Sequence, residues 1–357
     1  MTLVLRRLTE LLAFAAVPAL ALVFALAAYA GDDRLALDFH YELYPQAALL
    51  RAGEPAFDTP DAYLQDRANL IWPIAAVLPV VPLTYVGPEA ADWIATGFTI
   101  ATLVAALGVL GVKDWRVYGV TLLWPSVTDA YQTANASLPL VLLVAIAWRW
   151  RHRGAVSGAA IGCGLAVKFF LWPLVIWFLA AKRWLAAGVT TALLATSLLL
   201  MLPFTSIGEY VRLLQKLRRT FEPDTYTVFA VLNDLGAPEM VSRGATLALG
   251  LGLLAFAWRR RSLTLAIAAA LVLSPIVWRH FFVLLVVPIA LIRPRLHPLW
   301  LVPIGMWLGD GTFNGDTWQT IVVLILAGIV VIACETRRGT PAPKPAPAVG
   351  QPKPEPV

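Results

Sequence analysis

Few residues in this chain can carry proton or phosphate chemistry, and five of them crowd into one place. Asp38, His40, Tyr41, Glu42 and Tyr44 open the stretch DFHYELYPQAALLRAGEPAFDTPD, which begins nine residues past the end of the first apolar segment, residues 11–29. A carboxylate at the edge of an apolar segment is partly desolvated. Burial disfavours its charged form and raises its basicity, which suits a general base. Asp38 is therefore the expected proton acceptor, with His40, Tyr41, Glu42 and Tyr44 placed to position what it deprotonates.

Further along, unusual polar residues recur singly. Lys168 stands in GLAVKFFLWP, where a charge at membrane depth costs on the order of 2.5–3.5 kcal/mol unless it has a partner or a task. Snorkelling to the interface is the plain alternative. Gln132 and Asn135 lie in TDAYQTAN and either line a site or cap the helix that follows. Trp278, Arg279 and His280 sit in SPIVWRHF and either face a site or anchor an interface. In EYVRLLQKLRRTF, Tyr210, Leu213, Leu214, Leu217 and Phe221 share one helical face, while Arg212, Lys216 and Arg219 share the other. Such a helix is expected to lie on the outer leaflet, its cations free to hold a lipid-linked phosphate.

The elements that must position these residues are set by composition. The chain has 357 residues, 59% of them hydrophobic and only 14% charged, with a mean hydropathy of +0.73. Soluble domains average roughly a quarter charged residues, so this is an all-α, polytopic membrane protein. Its basic excess lies in short clusters: Arg6-Arg7, 149–153, Lys182-Arg183, 259–261, Arg293 with Arg295, and Arg337-Arg338. That is the positive-inside pattern of cytoplasmic loops and excludes a nucleic-acid patch. Cys163 and Cys334 fall in apolar segments and give neither a disulfide framework nor metal-ligand spacing. No glycine-rich phosphate loop, Ser–His–Asp order, HExxH or CxxC occurs.

Between successive basic clusters the chain must leave and return, which makes hairpins with tips near Lys168, at Ser274–Phe281 and at Gly309–Asp316. The first 150 residues hold five apolar segments, an odd number, so one of them fails to cross. Residues 70–86, with Pro73, Pro79 and Pro82, are expected to dip and return, the short 116–127 being the other candidate. Roughly twelve crossings remain, at about 20 residues for a perpendicular span. The membrane domain is expected to cover residues 1–338, with an outer catalytic loop at 30–69 and a second outer loop at 205–240. The proline-rich 339–357 reads as a disordered cytoplasmic tail. Both termini are then cytoplasmic. Asp38, Gln132, Asn135, Lys168, His280 and the 205–240 loop share the outer face.

Their order resembles a known family. Asp38, Tyr44 and ALLRAGEPAF (Ala48–Phe57), Gln132 with Asn135, Gly164-Leu165-Ala166 with Lys168 and Pro173, and Ser274-Pro275 with Trp278 and His280 resemble polyprenol-phosphate-dependent glycosyltransferases of the C-type fold. Within these the chain looks like family 87, the α-mannosyltransferase-like group of envelope biosynthesis. The resemblance implies a sugar on polyprenyl monophosphate as donor and an envelope glycan or glycolipid as acceptor, joined with inversion. No cofactor is expected, and no metal is required, since Asp32, Asp33 and Glu42 near Asp38 show no clear ligand spacing. Asp38 would be the base. Lys168, Arg279, His280, Arg212, Lys216 and Arg219 would hold the phosphate, since fixed cations stabilise developing phosphate charge. His40, Tyr41, Glu42, Tyr44, Gln132, Asn135 and Trp278 would position substrate. A transporter or flippase predicts inverted repeats and midplane charges instead, and a lipid-carrier polymerase or ligase would not centre on the Asp38 loop.

Overall fold

A backbone in lipid must satisfy its own hydrogen bonds, and in the computed structural model every regular element of the described residues, 3–57, 71–309 and 316–338, is helical. Five helices are long and apolar enough to cross a membrane: Val4–Gly31, Pro88–Val109, Trp184–Met201, Glu239–Arg260 and Thr317–Arg337. Pro125–Gln132 and Ser137–Arg149 make a sixth if that pair, bent by 115°, is one span. Six further apolar helices are only 10–17 residues long, so helix length alone does not reach the dozen passes read from the sequence. The shortfall has a local cause. Where hairpin tips carry polar residues, helix gives way to tighter turns, as at Phe169–Leu171 and Arg279–Leu285.

The bundle has two unlike ends. At one, Trp148 stacks on Trp177 at 5.9 Å and Arg183 lies 4.7 Å over the Trp177 ring, which joins the 149–153 and 182–183 basic loops. Ser262 donates to Glu335 there, and Asp114 holds both Arg116 and the Leu296 amide. At the other end His40 meets Asp92, and Tyr226 donates to the Gly309 carbonyl.

Two hairpins explain how the second end is built. Added Cβ atoms at Gly154, Gly158 and Gly162 would meet Leu185, Ala186 and Leu193 in that order, at 3.0, 2.5 and 2.8 Å. The Gly154–Val167 and Trp184–Met201 helices therefore run parallel, brought close by small residues. Phe169–Ala180, which joins them in the chain, must run back, and its helix packs on Leu263–Leu273 and Glu239–Arg260; Lys168 is the tip. Ile74–Tyr85, by contrast, starts and finishes against the same short helix, Tyr44–Ala52. The Trp72 amide donates to Gln46 Oε1 at 3.1 Å, Arg51 donates to the Thr84 carbonyl and Tyr44 to that of Val86. This proline-bearing segment returns to the end it left. The 115–132 stretch instead leads from the Arg116 end to Thr133, beside Asp38.

The amphipathic Ile207–Phe221 helix starts in a capping box between Ser206 and Glu209. Its apolar face is not turned to lipid as the sequence suggested. Tyr210 and Leu213 are buried against Phe57, Ile74 and Met201, with Phe169 alongside, and Tyr210 donates to the Ile71 carbonyl. The face was legible in the sequence, whereas the protein surface that covers it was not. Residues 58–69 of the expected catalytic loop, 310–315 of the expected last turn, and the 339–357 tail lie outside the described residues.

Candidate active site

The site forms where the Pro125–Gln132 helix stops. Ala134 takes a left-handed φ of 45°, which turns the chain through the bend and presents the Thr133 carbonyl and the Asn135 side chain. The amides of Asp38 and Phe39 both donate to Thr133 O, at 3.0 and 3.2 Å. A left-handed Ala36, fully buried with φ 57°, shapes the loop that delivers them.

Asn135 is the centre of the network. Its Oδ1 accepts from Lys168 Nζ at 2.8 Å and from the Ser137 amide and hydroxyl at 3.2 and 3.1 Å. Three donors on the oxygen fix the amide, so its NH₂ faces Asp38 and donates to the carboxylate. Lys168 and Asp38 are thus joined through an amide and not paired directly. Burial pushes the Asp38 carboxyl above its ordinary range, against the opposing pull of Lys168 and the Asn135 hydrogen bond.

Lys168 is the one extended residue between two helices, at φ −145° and ψ 117°. Its ammonium lies 4.8 Å over the Trp72 ring and 4.4 Å over the Phe281 ring, both within cation–π range. Trp72 Nε1 donates to Glu42 at 2.6 Å, and Phe281 stacks on Phe170 at 4.8 Å. His280, next in the chain, is 5% exposed, and among the described residues its Nε2 has no partner. Arg279 reaches the same end but grips Asp129 with two hydrogen bonds of 2.7 Å and lies over Trp307.

The remaining expected residues spread outward. His40 Nδ1 meets Asp92 at 2.7 Å, Tyr41 is half-exposed against His40, and Tyr44 serves the Val86 carbonyl. Trp278 packs on Phe221 at 6.0 Å, which ties the His280 turn to the amphipathic helix. The Gln132 side chain makes no hydrogen bond among the described residues, and Arg212 and Arg219 are exposed on the helix face opposite Tyr210. Lys216 shares that face and is partly buried. The structure therefore gathers Asp38, Glu42, Asn135, Lys168 and His280, and leaves Arg212 and Arg219 exposed on the amphipathic helix. Sequence reasoning passed over Trp72, Gln46, Phe281, Asp92 and Asp129. For the two carboxylates a signal existed, since Asp in an apolar stretch is costly. Among the described residues no group of three or more His, Cys, Asp or Glu could hold a metal.

Such a bundle, with a half-buried carboxylate, an amide and an ammonium in series at one end, defines a polytopic membrane protein. The model of glycosyltransferase family 87 matches residues 70–288; the chain belongs to this family and is a membrane glycosyltransferase. The matched stretch includes Asn135, Lys168, Arg279 and His280 but begins after Asp38. No curated protein and no solved structure matches the chain.

Proposed function

We propose that the protein transfers a sugar, a mannose-like hexose or a pentose, from polyprenyl monophosphate to an envelope glycan or glycolipid, with inversion. The observation that carries this reading is the Asp38–Asn135–Lys168 series, which keeps a base and a phosphate-binding cation in one site without neutralising either. Asp38 takes the proton of the acceptor hydroxyl as its oxygen attacks the anomeric carbon. The bond from that carbon to the phosphate oxygen breaks, and polyprenyl phosphate leaves with the electron pair. Lys168 and His280 Nε2, which has no partner among the described residues, face that developing charge, while Arg279 reaches it only by sharing its bond to Asp129. Arg212, Lys216 and Arg219 are left to a weaker attraction of the lipid head group.

The same reading puts the site on the outer face, in the cell membrane, with both termini cytoplasmic. Support comes from the grouping of basic loops at the far end. Chain direction also alternates between the ends twelve times if the short helices complete passes, within a C-type fold.

Purified protein in detergent, given radiolabelled polyprenyl-phosphate sugars and envelope lipid extract, tests the reaction. Label transferred to a glycan or glycolipid by wild type and lost in Asp38→Asn supports it. Translocation of intact donor in vesicles, without bond cleavage, would favour the transporter reading. Cysteines at Ala52 and Glu54, in a background lacking Cys163 and Cys334, should react with an impermeant thiol reagent from outside, and one at Arg153 should not. The reverse pattern overturns the orientation.

A further inference from the structure

Lys168 carries a long flexible side chain, and its opposite charge, Asp38, is bound to the same amide. What keeps the two from closing into a direct ion pair is not Asn135 alone, which takes one of three ammonium hydrogens. The other constraint is aromatic. Trp72 and Phe281 lie 4.8 and 4.4 Å from Nζ, and each ring is itself braced. Trp72 is fixed three times: indole N–H to Glu42 at 2.6 Å, main-chain N–H to Gln46 Oε1 at 3.1 Å, and carbonyl from Gln46 Nε2 at 3.0 Å. Gln46 is fully buried, a costly place for an amide unless its bonds are needed. Phe281 stacks nearly parallel on Phe170, at an interplanar angle of 9°. A snorkelling lysine would extend away from such groups, whereas this one turns inward to them.

We infer that Trp72 and Phe281 are positioning residues: their braced rings hold the Lys168 ammonium off Asp38, leaving the carboxylate free to accept a proton and the ammonium free to meet the leaving phosphate. The inference rests on the reading of Asp38 as the base. Without one ring, the ammonium settles onto Asp38, and an opposite charge in direct contact makes a carboxylate a weaker base.

The test is the pH dependence of transfer from labelled polyprenyl-phosphate sugar, with donor KM and kcat, for Trp72→Leu, Phe281→Leu and Trp72→Phe. Both leucine variants should move the acid limb of kcat/KM down by roughly one pH unit or more, with kcat lowered about tenfold or more and donor KM raised. Trp72→Phe, which keeps a ring but loses the Glu42 bond, should recover most of the limb position. Size-exclusion profile and melting temperature establish that each variant is folded. Should Trp72→Leu fail to fold, Phe281→Leu and Trp72→Phe decide alone. An acid limb that stays at the wild-type pH in a folded leucine variant overturns the inference. Loss of activity in Asp38→Asn with unmoved limbs in the leucine variants overturns the aromatic role alone, while an active Asp38→Asn overturns the underlying reading.

Discussion

Asp114 and Asp38 are both carboxylates just outside long apolar helices, each near a cation, and the protein treats them in opposite ways. Asp114 accepts from Arg116 Nε at 3.0 Å and Nη2 at 2.9 Å, from the Arg116 amide at 3.2 Å and from the Leu296 amide at 2.9 Å. Those bonds, Arg116's first, pull its carboxyl down to about 2. Among the described residues the Asp38 side chain has one donor, the Asn135 amide, and meets its cation through that amide, and burial pushes its carboxyl up. A carboxylate saturated with donors is a structural joint, because nothing further can reach it. One with spare lone pairs and raised basicity is available for chemistry. Arg279 and Asp129, although at the site end, are joined in the saturated manner, which marks Arg279 first as scaffold.

The sharpest way to break this contrast is to neutralise each acid in turn. Asp38→Asn should cost at least about 10²–10⁴ in transfer rate, the scale of a lost general base, with expression and donor binding kept. Asp114→Asn should leave turnover within a few-fold of wild type. Equal effects on turnover would mean that the two ends do not differ in kind, and a nearly active Asp38→Asn would shift attention to Glu42.

Next in size is the cation of the series. Lys168→Ala should weaken donor binding or turnover by roughly 1.5–3 kcal/mol, the worth of a charge-assisted hydrogen bond. Lys168→Arg should restore only part of it, because a planar fork does not fit between two rings where a compact ammonium does. Full donor affinity and turnover in folded Lys168→Ala would return the residue to an interfacial role.

Much of this arrangement is legible in the sequence. Asp38, Asn135, Lys168 and His280 stand out because polar groups in apolar surroundings are expensive, and the basic clusters fix which turns share an end. The returning segment at Ile74–Tyr85 announced itself through its prolines. Trp72 did not stand out. Its indole partner Glu42 and main-chain partner Gln46 lie 30 and 26 residues away, and a tryptophan in an apolar run reads as core. The surface that receives Tyr210 and Leu213 is built from three separate stretches around Phe57, Ile74 and Met201, so only tertiary packing reveals it. Individual helix lengths were not legible for a related reason: hairpin tips devote residues to the site that a plain span would keep helical.

The comparison also separates the two acids by pH. As the proton acceptor, Asp38 works ionised, so activity should rise with pH through its raised pKa, placing the acid limb above the roughly 3.9 of an ordinary aspartate. A limb at or below that value would remove the argument for a desolvated base. The control is a pH profile of Asp114→Asn, which should carry the same limb as wild type.

The smallest expected effect concerns Asp114 itself and is one of stability. Its side chain caps the Trp115–Leu122 helix and ties it to the Leu296 amide across the bundle. Asparagine keeps one acceptor oxygen but loses the ionic bond to Arg116. Loss of such a cap and charge-assisted bond costs about 1–2 kcal/mol, to be read as a melting temperature lowered by a few degrees in detergent. The sign with pH follows from the depressed carboxyl. A group whose folded-state pKa is lowered stabilises fully above its unfolded pKa and loses that contribution as pH falls through the folded value, here about 2. The gap in melting temperature between wild type and Asp114→Asn should therefore persist unchanged from pH 7 to 5 and narrow only as pH drops below about 4. A gap that closes already between pH 7 and 5 would mean that Asp114 is not held in the saturated state its four hydrogen bonds describe, and the contrast with Asp38 would lose its reference.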